Sequence, residues 1–233
     1  MNINEILEKV LERIAKNRQD YVSNEANVRA HLINPVLRSL GWDPDDPNFV
    51  KHNQRTQDGY PDYTLLRNGK TALFLEAKKL GANASDRRVI EQLGDYCYKA
   101  GCDYGLLSNG SVFVLFRSYM QGVRLPDRVI WQCDLESDSI TVVANRLLTI
   151  SHEGFDDLEE RWKQWQKMEE VWNEMKQKRD DIVMALAPVL EDNLRITDEN
   201  LKIDQIDVRD FMKEKIGELL FGGGDQNVIE ILQ

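Results

Sequence analysis

The sequence predicts an α/β domain with a central mixed sheet flanked by helices, followed by a helical C-terminal appendage. Three observations predict it. Asn68-Gly69 and Asn109-Gly110 each separate two apolar, β-rich runs, and an Asn-Gly pair so placed is the strongest short-range hairpin signal. Segments with helical spacing of apolar residues precede, separate and follow these runs. The net charge of −10 is also unevenly spread: residues 152–233 carry 11 basic and 21 acidic side chains, whereas residues 51–120 carry 10 basic and 7 acidic. That asymmetry predicts two units with different tasks, residues 1–151 and residues 152–233.

Taken in order, residues 3–18 place Ile3, Ile6, Leu7, Val10, Leu11 and Ile14 on one helical face, and a break is expected at 20–23. Ser23 or Asn24 then caps a second helix that buries Val28, Leu32 and Leu37 and stops at Gly41. Residues 43–60, with Pro44 and Pro47, read as loop. Within that loop Lys51, Arg55 and Gln57 read as a solvated edge, with a groove beside Asp62 as the alternative. A helix is expected from Asp86 to Ala100, ended by Gly101. Val129 to Cys133 is read as an edge strand, and 140–150 fits either a strand or a helix, with helix favoured by the spacing of Leu135, Val143, Leu147 and Leu148. His31 and His52 have no partner at metal-ligand spacing and are read as surface or satisfied histidines.

The first hairpin carries the chemistry. Asp62 opens its first run, and Glu76, Ala77 and Lys78 close its second. Side chains alternate along a strand, so Glu76 and Lys78 project from one side, and antiparallel pairing brings Asp62 near Glu76. Hard oxygen ligands of this kind suit Mg²⁺, which is bound through one or two carboxylates plus waters and phosphate. Asp62 and Glu76 are therefore the expected ligands of Mg²⁺ or Mn²⁺, with the Ala77 carbonyl as a third, and Lys78 would orient or deprotonate a water. A Glu-x-Lys triplet alone is a weak signal, and Glu174-Met175-Lys176 is a decoy inside a helical stretch. Downstream, Arg88, Gln92 and Tyr96 lie a turn apart on one helical face, a row that can meet phosphate and sugar oxygens.

Together these residues resemble the PD-(D/E)xK nuclease superfamily. The block from Glu25 to Arg117 is similar to the N-terminal nuclease domain of type I restriction enzyme R subunits and their stand-alone relatives. It carries Glu25 in NEANVRAHLINPVLRSLGW, Pro61-Asp62, Glu76-Ala77-Lys78, and Gln92 to Tyr96 as a QxxxY motif. The resemblance covers roughly the first 150 residues. It implies a restriction-endonuclease-like core and a metal-dependent deoxyribonuclease serving restriction or defence against foreign DNA. It also implies Glu25 as a further acidic group at the metal, and Gln92 and Tyr96 as residues that place substrate or support Lys78.

Other motifs fail. Gly69-Lys70-Thr71 mimics the end of a phosphate-binding loop, but position 64 is Thr where a Gly is needed. Without an ATPase motor the chain departs from a full R subunit, so a regulatory or motor protein is an expected partner alongside DNA. The alternative reading is a nuclease-fold DNA-binding or assembly module that is idle until such a partner arrives. Leu158, Trp162, Trp165, Met168, Trp172 and Met175 trace one stripe of a long helix over 155–190, and a shorter helix is expected from Asp207 to Phe221 before Gly222-Gly223-Gly224. The stripe is suited to packing on the core or on a second copy as a homodimer arm. No apolar run approaches 18 residues and the N-terminus lacks an export pattern, so no membrane partner is expected. Cys97, Cys102 and Cys133 lack ligand spacing and fit reduced thiols of a cytoplasmic protein.

Overall fold

The computed structural model describes residues 2–53, 61–84, 86–178, 181, 182 and 185. They divide into two units, Met1–Trp162 and Lys163–Gln233. The first unit is a mixed α/β layered domain. Among the described residues its six strands are β1 (Val50–His52), β2 (Tyr63–Arg67), β3 (Lys70–Ala77), β4 (Tyr104–Ser108), β5 (Val112–Arg117) and β6 (Val129–Asp134), and they stand in sequence order across the sheet. All neighbours are antiparallel except β3 and β4, which run parallel. A parallel pair needs a crossover, and α4 (Arg87–Lys99) supplies it. Two hairpins are thereby joined side by side, with the C-terminal ends of β3 and β4 abreast.

Strand alternation sorts the apolar side chains into two cores. Tyr63, Leu65, Leu73, Leu75, Ala77, Leu106, Phe113, Leu115, Trp131 and Cys133 face one layer of helices. That layer contains α1 (Ile3–Ser23), α3 (Asn34–Ser39) and α5 (Ile140–Leu148). Phe74, Leu107, Val114 and Phe116 face the other way, onto Ile90, Leu93 and Cys97 of α4. Burying each such Leu or Phe side chain stabilises the fold by about 2 kcal/mol before chain entropy is counted. Cys97, Cys102 and Cys133 are free and buried. Among the described residues, no helix is long and apolar enough to cross a membrane.

The elements differ from the sequence reading in three places. First, α1 does not stop before residue 20. It kinks at Asn17, where φ is −131°, and continues to Ser23, because Tyr21 is buried and its carbonyl accepts the Leu80 N–H at 3.1 Å. Second, the loop over 43–60 contains β1, in register through Val50↔Leu65. Its three residues bury only Val50, too little for a periodic signal. Third, the helix from Glu25 is not a plain α-helix. α2 (Glu25–Val28) passes into a π turn over Arg29–Ile33 before α3. Pro35 has no N–H to give the His31 carbonyl four residues back and would crowd it. The wider turn is the response, and the Arg13 guanidinium takes that carbonyl at 2.6 Å.

The last of the described helices, α6 (Leu158–Gln177), begins in the first unit, where Leu158 is buried and Trp162 packs on the core. Within the second unit Trp165 and Trp172 are half-buried while Met168 and Val171 are exposed. Arg55, Gln57, the helix expected at Asp207–Phe221 and the triple glycine lie outside the described residues.

Candidate active site at the open end of the first hairpin

The Asn68-Gly69 turn has φ of +51° and +74°, the double positive that a type I′ turn requires. Below it Tyr63 pairs with Leu75, which carries Asp62 alongside Glu76. One Asp62 carboxylate oxygen, Oδ2, accepts the Ala77 N–H at 2.8 Å, so the aspartate is fastened to the neighbouring strand. Glu76 and Lys78 project from the same side as the α4-facing Phe74, and the Lys78 ammonium donates to Glu76 Oε1 at 2.6 Å. Lys78 is itself held by its backbone N–H, which donates to the Ser108 carbonyl at 2.8 Å. The constellation expected from spacing is thus assembled across three adjacent strand ends.

Burial is the largest influence on Glu76 and pushes its carboxyl above the usual range; the Lys78 hydrogen bond opposes that, and the like charge of Asp62 adds to it. A like charge beside a half-buried carboxyl disfavours its ionised form, as Asp62 does here for Glu76. A nearby cation relieves that repulsion. Here two cations do so, Lys78 at Glu76 and Arg29 at Asp62, where the Arg29 Nη1 donates to Asp62 Oδ1 at 2.7 Å.

Arg29 is a residue of this cluster that the sequence reading did not single out. The signal that could have found it is helical spacing, since Arg29 stands four residues after Glu25. Glu25 occupies the first turn of α2, and Asn24 caps that turn by accepting the Ala26 and Asn27 N–H groups at 2.9 and 3.4 Å. Of the two caps weighed, Asn24 is the one used. Glu25, Arg29 and Asp62 all act on the buried Tyr63 phenol, which burial raises above its ordinary range. Its hydroxyl donates to Asn34 Oδ1 at 2.8 Å.

The row on α4 is formed as spacing predicts, but it is self-contained. Gln92 donates from Nε2 to the Tyr96 hydroxyl at 2.6 Å, and Tyr96 packs its ring against the α4 core. Among the described residues no hydrogen bond joins Gln92 or Tyr96 to Lys78. Arg88 is exposed, and its backbone N–H is capped by Asp86 at 2.8 Å. His52 Nε2 lies 2.7 Å from the Pro44 carbonyl, a satisfied histidine. No group of three or more His, Cys, Asp or Glu side chains that could hold a metal occurs among the described residues.

Comparison with known proteins adds little to this. No protein-family model matches the chain, and no curated protein does. A solved structure is similar in part. That of the type IIG restriction endonuclease BpuSI aligns over 62% of this chain and 17% of its own, with a TM-score of 0.34 and 18% identity.

Proposed function

We propose that this chain is a metal-dependent endonuclease that hydrolyses DNA phosphodiester bonds in restriction or defence, built on a restriction-endonuclease-like core over residues 1–151. The observation that carries the reading is Asp62 and Glu76 abreast on adjacent strands, with the Lys78 ammonium 2.6 Å from Glu76. The donor set fits Mg²⁺ or Mn²⁺: two half-buried carboxylates and the Ala77 carbonyl are hard oxygen donors, and these ions need only one or two carboxylates. When bound, such an ion polarises the scissile phosphate and lowers the pKa of a water.

The chain's own residues do the rest. Asp62, fixed by the Ala77 N–H, and Glu76 present oxygens without losing side-chain freedom at the moment of binding. Lys78, anchored through its backbone, orients the attacking water and offsets charge developing on the phosphate. Glu25, in the first turn of α2, is a further acidic group that acts on the metal directly or through water. Arg88, Gln92 and Tyr96 take phosphate and sugar oxygens without reading bases. Residues 152–233 serve as an acidic arm for packing or for a homodimer, in a protein of the cytoplasm.

A second reading is favoured by one observation. Both Asp62 oxygens are already engaged, by Arg29 and by the Ala77 N–H, which suits a nuclease fold that stays idle until a regulatory or motor partner arrives. Cleavage of supercoiled plasmid and linear DNA, by wild type and Lys78→Ala, with Mg²⁺, with Mn²⁺ and with a chelator, separates the two. Metal-dependent cutting that drops by at least about a hundredfold in the variant supports the nuclease. Cutting that survives Lys78→Ala would sink the site assignment, and no cutting under any condition would move the weight to the partner-dependent module.

A further inference from the structure

Resting on the metal reading above, we infer that Arg29 occupies the cation's seat on Asp62 and moves from that carboxylate to a phosphate of the nucleic acid when the metal binds.

Three features of the site support this. Each Asp62 oxygen already holds one donor, Oδ2 the Ala77 N–H at 2.8 Å and Oδ1 the Arg29 Nη1 at 2.7 Å, so an incoming ion has to take a remaining lone pair. The oxygen that does not hold the backbone is therefore the one that Arg29 shares with an incoming ion. The charge count then sets the direction. Arg29 and Lys78 already balance Asp62 and Glu76, so a divalent cation leaves a surplus of positive charge among half-buried groups even when the Glu25 carboxylate is counted. Such an excess is costly at close range and is relieved when anionic phosphate arrives. Finally, the Arg29 side chain is 28% exposed and that of Asp62 is 13%, so the guanidinium is the more accessible partner of the pair. Its planar fork matches phosphate as well as carboxylate. Metal and DNA would then bind cooperatively, because each removes an obstacle to the other, and linkage makes that effect reciprocal.

The test uses the full chain and two probes, Mn²⁺ alone and a fluorescent 20-base-pair duplex in chelator. Arg29→Met should bind Mn²⁺ about tenfold more tightly than wild type, since the competing charge is gone, while Arg29→Lys stays close to wild type. Asp62→Asn should lose Mn²⁺ binding yet hold the metal-free duplex more tightly, because Arg29 is released to phosphate. The double variant Arg29→Met/Asp62→Asn should lose that gain, which distinguishes a freed guanidinium from a mere loss of negative charge. Arg29→Met binding Mn²⁺ no more tightly than wild type would overturn the inference. If Asp62→Asn still loses Mn²⁺ in that case, the metal site stands without the exchange. Mn²⁺ binding unaffected by Asp62→Asn, or undetectable in both wild type and Arg29→Met, would overturn the metal reading and the inference together.

Discussion

The two Asn-Gly turns have the same dipeptide between the same kind of strands, yet they are different structures. At Asn68-Gly69 both residues take positive φ, the turn is exposed, and a Cβ on Gly69 would meet nothing within 4 Å. At Asn109-Gly110 only the glycine is positive, at +89°, and both residues are buried. The Asn109 side chain makes that turn: Oδ1 accepts the Ser111 and Val112 N–H groups at 3.0 and 2.7 Å, and Nδ2 donates to the Ala82 carbonyl at 2.9 Å. A Cβ on Gly110 would lie 2.7 Å from Leu32 Cδ1 and 3.0 Å from Val28 Cγ1. Because β3 and β4 are parallel, this second turn stands at the same end of the sheet as Glu76 and Lys78. It is also pressed against the helix that carries Glu25 and Arg29. One turn reverses the chain in solvent, whereas the other is packed between the sheet and the helical segment that carries Glu25 and Arg29.

That contrast can be broken by substitution. Gly110→Ala should have the largest effect, about 3 kcal/mol of stability from backbone strain and overpacking, measured by denaturant unfolding. It should also depress plasmid cleavage at a temperature where the variant is still folded, because Leu32 and Val28 must move with Arg29. Asn109→Ala should cost about 2 kcal/mol, since buried donors and an acceptor lose their partner. Gly69→Ala should cost only about 1 kcal/mol, the strain of a left-handed residue with no clash, and leave cleavage unchanged. If Gly69→Ala harmed cleavage as much as Gly110→Ala, the division of labour between the turns would be wrong.

A residue outside both turns gives the baseline. Burial beside Trp42 and Phe49 holds the His152 imidazole below its ordinary 6.5, with the Arg67 charge adding to the effect. Unfolding frees the ring to take up a proton, so its contribution is present above about pH 6.5 and is lost as pH falls toward the folded value. His152→Gln should flatten the acid side of the stability profile and leave the relative order of the turn variants unchanged.

What was legible in the sequence follows the range of the interactions. The first turn, the start of α4 near Asp86, its Gly101 stop and the helix favoured over 140–150 are set by neighbours within a few residues, and each was readable. So was the meeting of Asp62, Glu76 and Lys78, because hairpin register places them. The extension of α1 was not, since it depends on Tyr21 finding a place against the Leu80 segment. β1 was hidden because its ladder comes from Phe49 and Val50 joining β2. The second turn was legible as a hairpin but not in its geometry, which follows from burial against Val28 and Leu32. Arg29 was missed for the same reason, as it lies 33 residues from the carboxylate it grips.

The wide turn over Arg29–Ile33 makes the site sensitive to residue count as well as residue type. It acts as a phase shifter between two helical segments, adding one residue where an ordinary helix would have none. Residues before it are rotated by about 100° relative to those after it, the angle that one residue contributes to an α-helix. Shortening Arg29–Ile33 by one residue would let Val36 and Leu37 keep their core positions while Glu25 and Arg29 turned away from Asp62. The site would come apart, and Val28, buried on the same segment, would leave the core with it.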